Sequence, residues 1–74
     1  MDLDFFARLT DKELCGAYEG DMEWMESNFL ADNNPLRLLC EQYEAETGGD
    51  IVITDAIEAI LYEMSTRFYR MKVK

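Results

Sequence analysis

A chain of 74 residues with one proline, four glycines, 49% hydrophobic and 12% aromatic residues is one domain (1–74), too apolar for disorder and too poor in turn residues for an all-β fold. Sixteen acids, seven bases and no histidine give a net charge of −9, which argues against direct binding of nucleic acid or anionic membranes and for attraction to basic proteins. The charge is segregated: residues 1–66 hold all sixteen acids with only Arg8, Lys12 and Arg37, a sum of −13, and Arg67, Arg70, Lys72 and Lys74 follow.

The N-terminus, MDLDFFARL, is acidic and has no apolar run, so no signal peptide is expected. No stretch approaches the roughly 20 apolar residues of a membrane span, and a cytoplasmic protein is the expectation (host cytoplasm if phage-encoded). Leu3, Phe5, Phe6 and Leu9 form an apolar cluster suited to a short helical turn that lids the rest.

The first long helix begins at Thr10, where Thr10-Asp11-Lys12-Glu13 fits a capping box. Leu14, Tyr18, Met22, Met25 and Phe29 then recur at helical spacing within an arc of about 80°, and this is the expected core face. Glu13, Glu19, Glu23 and Glu26 fall opposite. Gly16 and Gly20 weaken the helix by about 1 kcal/mol each and leave a notch where another backbone could approach. Asp32-Asn33-Asn34-Pro35 is expected to end it.

Asn34 as N-cap and Pro35 at the first helical position open the second helix. Leu36, Leu39, Cys40 and Tyr43 share its inner face, and Gly48-Gly49 stop it. Ile51-Val52-Ile53 is a β-branched run without a strand partner, best taken as a short extended connection whose side chains plug the core. The third helix starts at Thr54 or Asp55, with Asp55 and Glu58 repeating the cap pattern, and runs to about Met71. Ile57, Ile60, Leu61, Met64, Phe68 and Met71 are its expected buried face, with Arg67 and Arg70 complementing the helix dipole. The expected fold is therefore all-α: a small three-helix bundle with an apolar N-terminal segment.

Catalytic constellations are missing. Without histidine there is no imidazole base or ligand, and Cys15 and Cys40 are too few and too far apart for a zinc site or a disulfide framework. Both are expected as reduced thiols packed as small hydrophobes. Ser27 and Ser65 have no base to activate them, and no glycine-rich phosphate loop is present. Asp32-Asn33-Asn34 lacks the alternation and terminal glutamate of a calcium loop. The expectation is a non-enzymatic protein with neither cofactor nor metal.

The acidic surplus admits two readings. A solvated helix face usually mixes signs, because like charges four residues apart destabilise, and Glu19 and Glu23 are such a pair. Carboxylates spaced by about 6 Å along a helix and phosphates advancing by about 3.4 Å along a duplex are of one order. Acids on two helices could thus occupy the basic site of a nucleic-acid-binding protein and exclude its nucleic acid. Glu19, Asp21, Glu23, Trp24, Glu26 and Asp32, with Glu41 and Glu44 on the next helix, are the residues expected to meet it. In size, charge and lack of catalytic residues the chain is similar to small acidic phage proteins that act as DNA mimics, such as anti-restriction or anti-CRISPR inhibitors; no sequence motif carries that likeness. The other reading is an apolar interface. Trp24 lies roughly 80° from Leu14 around the helix, Leu30 and Leu38 point off their helices' inner faces, and Tyr62 and Tyr69 flank the third helix. Through such residues the chain would be a homodimeric or larger adaptor or accessory subunit.

Overall fold

The computed structural model describes residues 1–72 and is all-α, with four helices: α1 (Leu3–Ala7), α2 (Asp11–Ser27), α3 (Pro35–Thr47) and α4 (Ile53–Lys72). Among the described residues there is no strand.

Local chemistry sets most helix ends. Asp2 caps α1 by accepting from Asp4 N–H at 3.0 Å. Thr10 and Glu13 form the reciprocal capping box of α2, at 3.1 and 2.8 Å. Asn34 caps α3, accepting from Leu36 N–H at 2.8 Å, with Pro35 in the first turn. Gly48, at φ 74°, closes α3 in the left-handed region.

Two boundaries differ from expectation. The first long helix stops at Ser27, well short of Asp32, because Asn28 takes a left-handed cap conformation (φ 55°) and its N–H bonds Trp24 O at 2.8 Å. Ser27 Oγ accepts from Phe29 N–H at 3.2 Å and holds the chain in the turn, so Phe29 lies outside the helix. At the other boundary α4 starts at Ile53, one residue before Thr54, since Ala56 N–H already reaches Val52 O at 3.0 Å. Ile53 is thus helical, and only Ile51 and Val52 remain in the connection. Ile51 and Ile53 pack against the core, whereas Val52 is exposed. Among the described residues no side chain accepts from the first-turn amides of α4, so the cap expected of Asp55 and Glu58 is not formed.

α2 packs against α3 and α4, and α1 and α3 also lie on α4. Phe5 and Phe6 from α1 meet Tyr43 from α3 with ring centroids 5.2 and 5.7 Å apart, and the Tyr43 hydroxyl accepts from Asp2 N–H at 2.8 Å. Leu14, Leu36, Leu39, Ala56 and Ile60 complete the centre of the core, which Cys40 borders.

The face of α2 that meets this core is rotated by about one residue from the expected one. Leu14, Ala17, Gly20 and Asp21 are buried, while Tyr18, Met22 and Met25 are exposed. The cause is close approach. Asn34 Nδ2 donates to the Gly20 carbonyl at 3.0 Å, and a Cβ on Gly20 would stand 2.5 Å from Asn34 Oδ1 and 2.9 Å from Leu36 N. The Gly20 notch therefore takes the N-terminus of the molecule's own α3, and α2 turns its small residues inward. Gly16 has open space beside it. α4 is rotated likewise: Ala56, Ala59, Ile60 and Glu63 are buried, Ile57 and Met64 are half-buried, and Leu61, Phe68 and Met71 are exposed. With principal extents of 40 × 29 × 17 Å, the thin direction holds about two helix layers, so no helix is surrounded.

Candidate protein-binding surface

α2 carries most of the expected binding residues and separates them by environment. Glu19, Glu23 and Glu26 are exposed on the side away from the core, spaced so that they form one row along the helix. Tyr18, Met22 and Met25 stand beside that row and are exposed as well. From Glu13 to Leu36 the chain has six acids and no base. Among the described residues none of the three row carboxylates is in an ion pair.

The remaining expected residues are placed elsewhere. Asp21 is buried, 8% exposed, and faces the first turns of α4, where the positive end of the helix dipole favours a carboxylate. It is therefore not part of the outer row. Trp24 is half-buried, and Phe5 and Phe6 pack on Tyr43. A cleft of about 240 Å³ is lined by Trp24, Asp21, Ile53, Thr54, Ile57 and Glu58. Asp32 is exposed and pairs with Arg37 at 3.5 Å, and Arg37 also pairs with Glu41 at 3.4 Å. Glu44 is exposed, and one oxygen accepts from Ile51 N–H at 3.3 Å, holding the α3–α4 connection. Glu41 and Glu44 thus have local partners, and the acids of α3 do not extend the α2 row as unpaired charges.

Among the described residues the C-terminal bases Arg67, Arg70 and Lys72 form no ion pair with the row. Arg67 turns inward instead. It pairs with Glu63 on its own helix and with Asp11 at the start of α2, both at 2.7 Å. The same guanidinium donates to the carbonyls of Leu9 at 2.6 Å, Ala7 at 3.3 Å and Phe6 at 3.4 Å, so it binds the open end of α1. Its hydrogen bonds to Glu63, then to Asp11, push its pKa further above the ordinary arginine value, so its charge is permanent. The anchor has a readable signal, an acid and a base at i,i+4 inside an apolar stripe, which the dipole explanation of Arg67 passed over.

Tyr18, Met22, Met25, Phe29, Leu61, Phe68 and Met71, expected in the core, are on the surface. Of the other off-face residues, Leu38, Tyr62 and Tyr69 are exposed and Leu30 is half-buried. Cys15 is an exposed thiol and Cys40 a buried one; burial, reinforced by Glu44 and Glu41, pushes Cys40 above 9.0. Among the described residues no group of three or more histidines, cysteines or acids could hold a metal ion, and no helix is long and apolar enough to cross a membrane. No protein-family model matches the chain, and neither a curated protein nor a solved structure matches it.

Proposed function

We propose that the chain is a non-enzymatic binding domain that docks the outer face of α2 onto a basic protein surface, inhibiting a nucleic-acid-binding protein by occupying its phosphate-binding site. One observation carries this reading: Glu19, Glu23 and Glu26 stand exposed, and without an ion pair among the described residues, in a row beside exposed Tyr18, Met22 and Met25. Like charges so placed destabilise a helix, and exposed large apolar side chains add nothing to the stability of a monomer. Together they suit a partner that supplies Lys or Arg against the row and apolar contact beside it. The carboxylates steer the encounter, and the apolar residues resist dissociation.

The test compares the wild-type chain with Glu19→Lys/Glu23→Lys/Glu26→Lys as bait in lysate of the source cell. The expected result is a basic nucleic-acid-binding protein retained by the wild type alone, released by added duplex DNA and by raising salt from about 50 to 200 mM. Equal retention by both baits, or retention indifferent to salt and DNA, overturns the proposal. Helicity by far-UV circular dichroism shows that the variant is folded.

A further inference from the structure

We propose that a second copy of this chain covers the outer face of α4, the two helices lying antiparallel about Ser65. Beyond its inward stripe, α4 carries a second set of positions at alternating spacings of three and four: Glu58, Leu61, Ser65, Phe68 and Lys72, all exposed. Tyr62 and Tyr69 border it one heptad apart and are 61% and 66% exposed. This is the pattern of a helix that packs along a second helix. The rest of the molecule leaves it open because α4 turns Ala56, Ala59, Ile60 and Glu63 toward its own core.

Charge identifies the occupant and its direction. The first half of α4 holds exposed Asp55 and Glu58, and the second half holds exposed Arg70 and Lys72. Lys72 Nζ already lies 5.4 Å from the centre of the Phe68 ring, which places its ammonium on the stripe. A parallel pair would set Glu58 against Glu58 and Lys72 against Lys72. An antiparallel pair centred on Ser65 opposes Glu58 to Lys72 twice, because both lie seven residues from Ser65. It also brings Leu61 toward Tyr69 and Tyr62 toward Phe68, and the small Ser65 meets itself where the axes come closest. Such an isologous contact is the commonest form of self-association.

The experiment uses the full chain with Cys15→Ser, which removes the exposed native thiol. Ser65→Cys is expected to form a disulfide-linked dimer rapidly under mild oxidation, and Glu19→Cys, on the outer side of α2, is not. Sedimentation is expected to show a concentration-dependent monomer–dimer equilibrium for the unmodified chain. Glu58→Lys raises its dissociation constant about tenfold or more, as a like-charge contact does, and Glu58→Lys/Lys72→Glu restores it. Reversing Glu19, Glu23 and Glu26 does not weaken the dimer, so failure here is distinct from failure of the α2 surface. A monomer at every concentration, Ser65→Cys linking no faster than Glu19→Cys, or a double reversal that does not recover the dimer each overturns the proposal. All substituted side chains are exposed, and helicity by circular dichroism excludes unfolding as the cause.

Discussion

Removing the Arg67 side chain by Arg67→Met is the sharpest perturbation of the fold. The guanidinium is the partner of Glu63, whose side chain is only 9% exposed, and it supplies a donor to Leu9 O at 2.6 Å where α1 has already ended. Methionine fills much of the volume but leaves a carboxylate buried without its cation. Breaking a buried pair in this way costs about 3–5 kcal/mol, and the 22% exposure of Arg67 lowers the expectation to about 2–4 kcal/mol. The Asp11 contact adds little, since that carboxylate is 88% exposed. For a domain of this size about 1 kcal/mol moves Tm by about 4–8 °C, so Arg67→Met should lower Tm by roughly 10 °C or more. Glu63→Gln keeps an acceptor and should cost less. Glu63→Leu/Arg67→Met removes both charges, so its loss should be clearly smaller than the sum of the losses of Glu63→Leu and Arg67→Met alone, with a coupling of about 1.5–3 kcal/mol. Thermal melts followed by far-UV circular dichroism read all four states of the cycle. Additive losses, or an unchanged Tm for Arg67→Met, would refute the assignment of Arg67 as the clasp between α4 and the α1–α2 junction.

Glycine substitutions on α2 should move stability in opposite directions. Gly20→Ala drives a Cβ to 2.5 Å from Asn34 Oδ1 and should destabilise by about 1–3 kcal/mol. Gly16→Ala meets nothing within 4 Å and should stabilise by about 0.5–1 kcal/mol; denaturant melts of both decide whether α3 really docks on Gly20. Thr10→Ala removes one half of the capping box and should cost about 1 kcal/mol in the same melts. Of the two thiols, Cys15 should alkylate freely and Cys40 only at the rate of unfolding, as mass spectrometry of partly labelled protein would show. Because the folded Cys40 thiol titrates above 9.0, its contribution to stability is complete below that pH. It is lost as pH rises from 9.0 through the folded value, so Cys40→Ala should flatten the alkaline limb of the Tm–pH curve.

Wherever a short signal has its own local physics, the fold was legible in the sequence. Thr10 with Glu13, Asn34 with Pro35, and Gly48 each satisfy or release backbone groups within a few residues, and each helix end they announce is present. Periodicity located α2 and α4 but misjudged which way they face. Both helices have two candidate stripes, one of large apolar residues and one of small residues with a polar side chain: Ala17, Gly20 and Asp21 in α2, and Ala56, Ala59 and Glu63 in α4. Hydrophobicity alone favours the large stripe. Close packing favours the small one, because only there can α3 approach Gly20 and α4 lie against its neighbours. That choice rests on contacts between residues distant in sequence, which no local window contains. The candidate surface was half legible for the same reason. Glu19, Glu23 and Glu26 needed only to be outside, whereas removing Asp21 from the row and adding Tyr18 and Met22 beside it depend on how α2 is turned.

The exposed large stripes and the acid surplus belong to one physical arrangement. A body that leaves Tyr18, Met22, Leu61 and Phe68 on its surface would associate indiscriminately if its charge were near zero. At −9, any random encounter of two copies is repulsive at range, and the repulsion is weakest where the bases are, on the second half of α4. The proposed self-association would thereby be confined to the orientation that opposes Lys72 to Glu58. Salt then acts on the two proposed contacts with opposite sign. Screening weakens the long-range repulsion between two acidic bodies more than the close Glu58–Lys72 pairs, because separations beyond about 10 Å are screened at 0.1 M. It also removes the attraction between the α2 row and a basic partner. Rising ionic strength should therefore shift the chain from partner-bound toward self-paired, and a surface used for only one of these purposes would respond in only one direction.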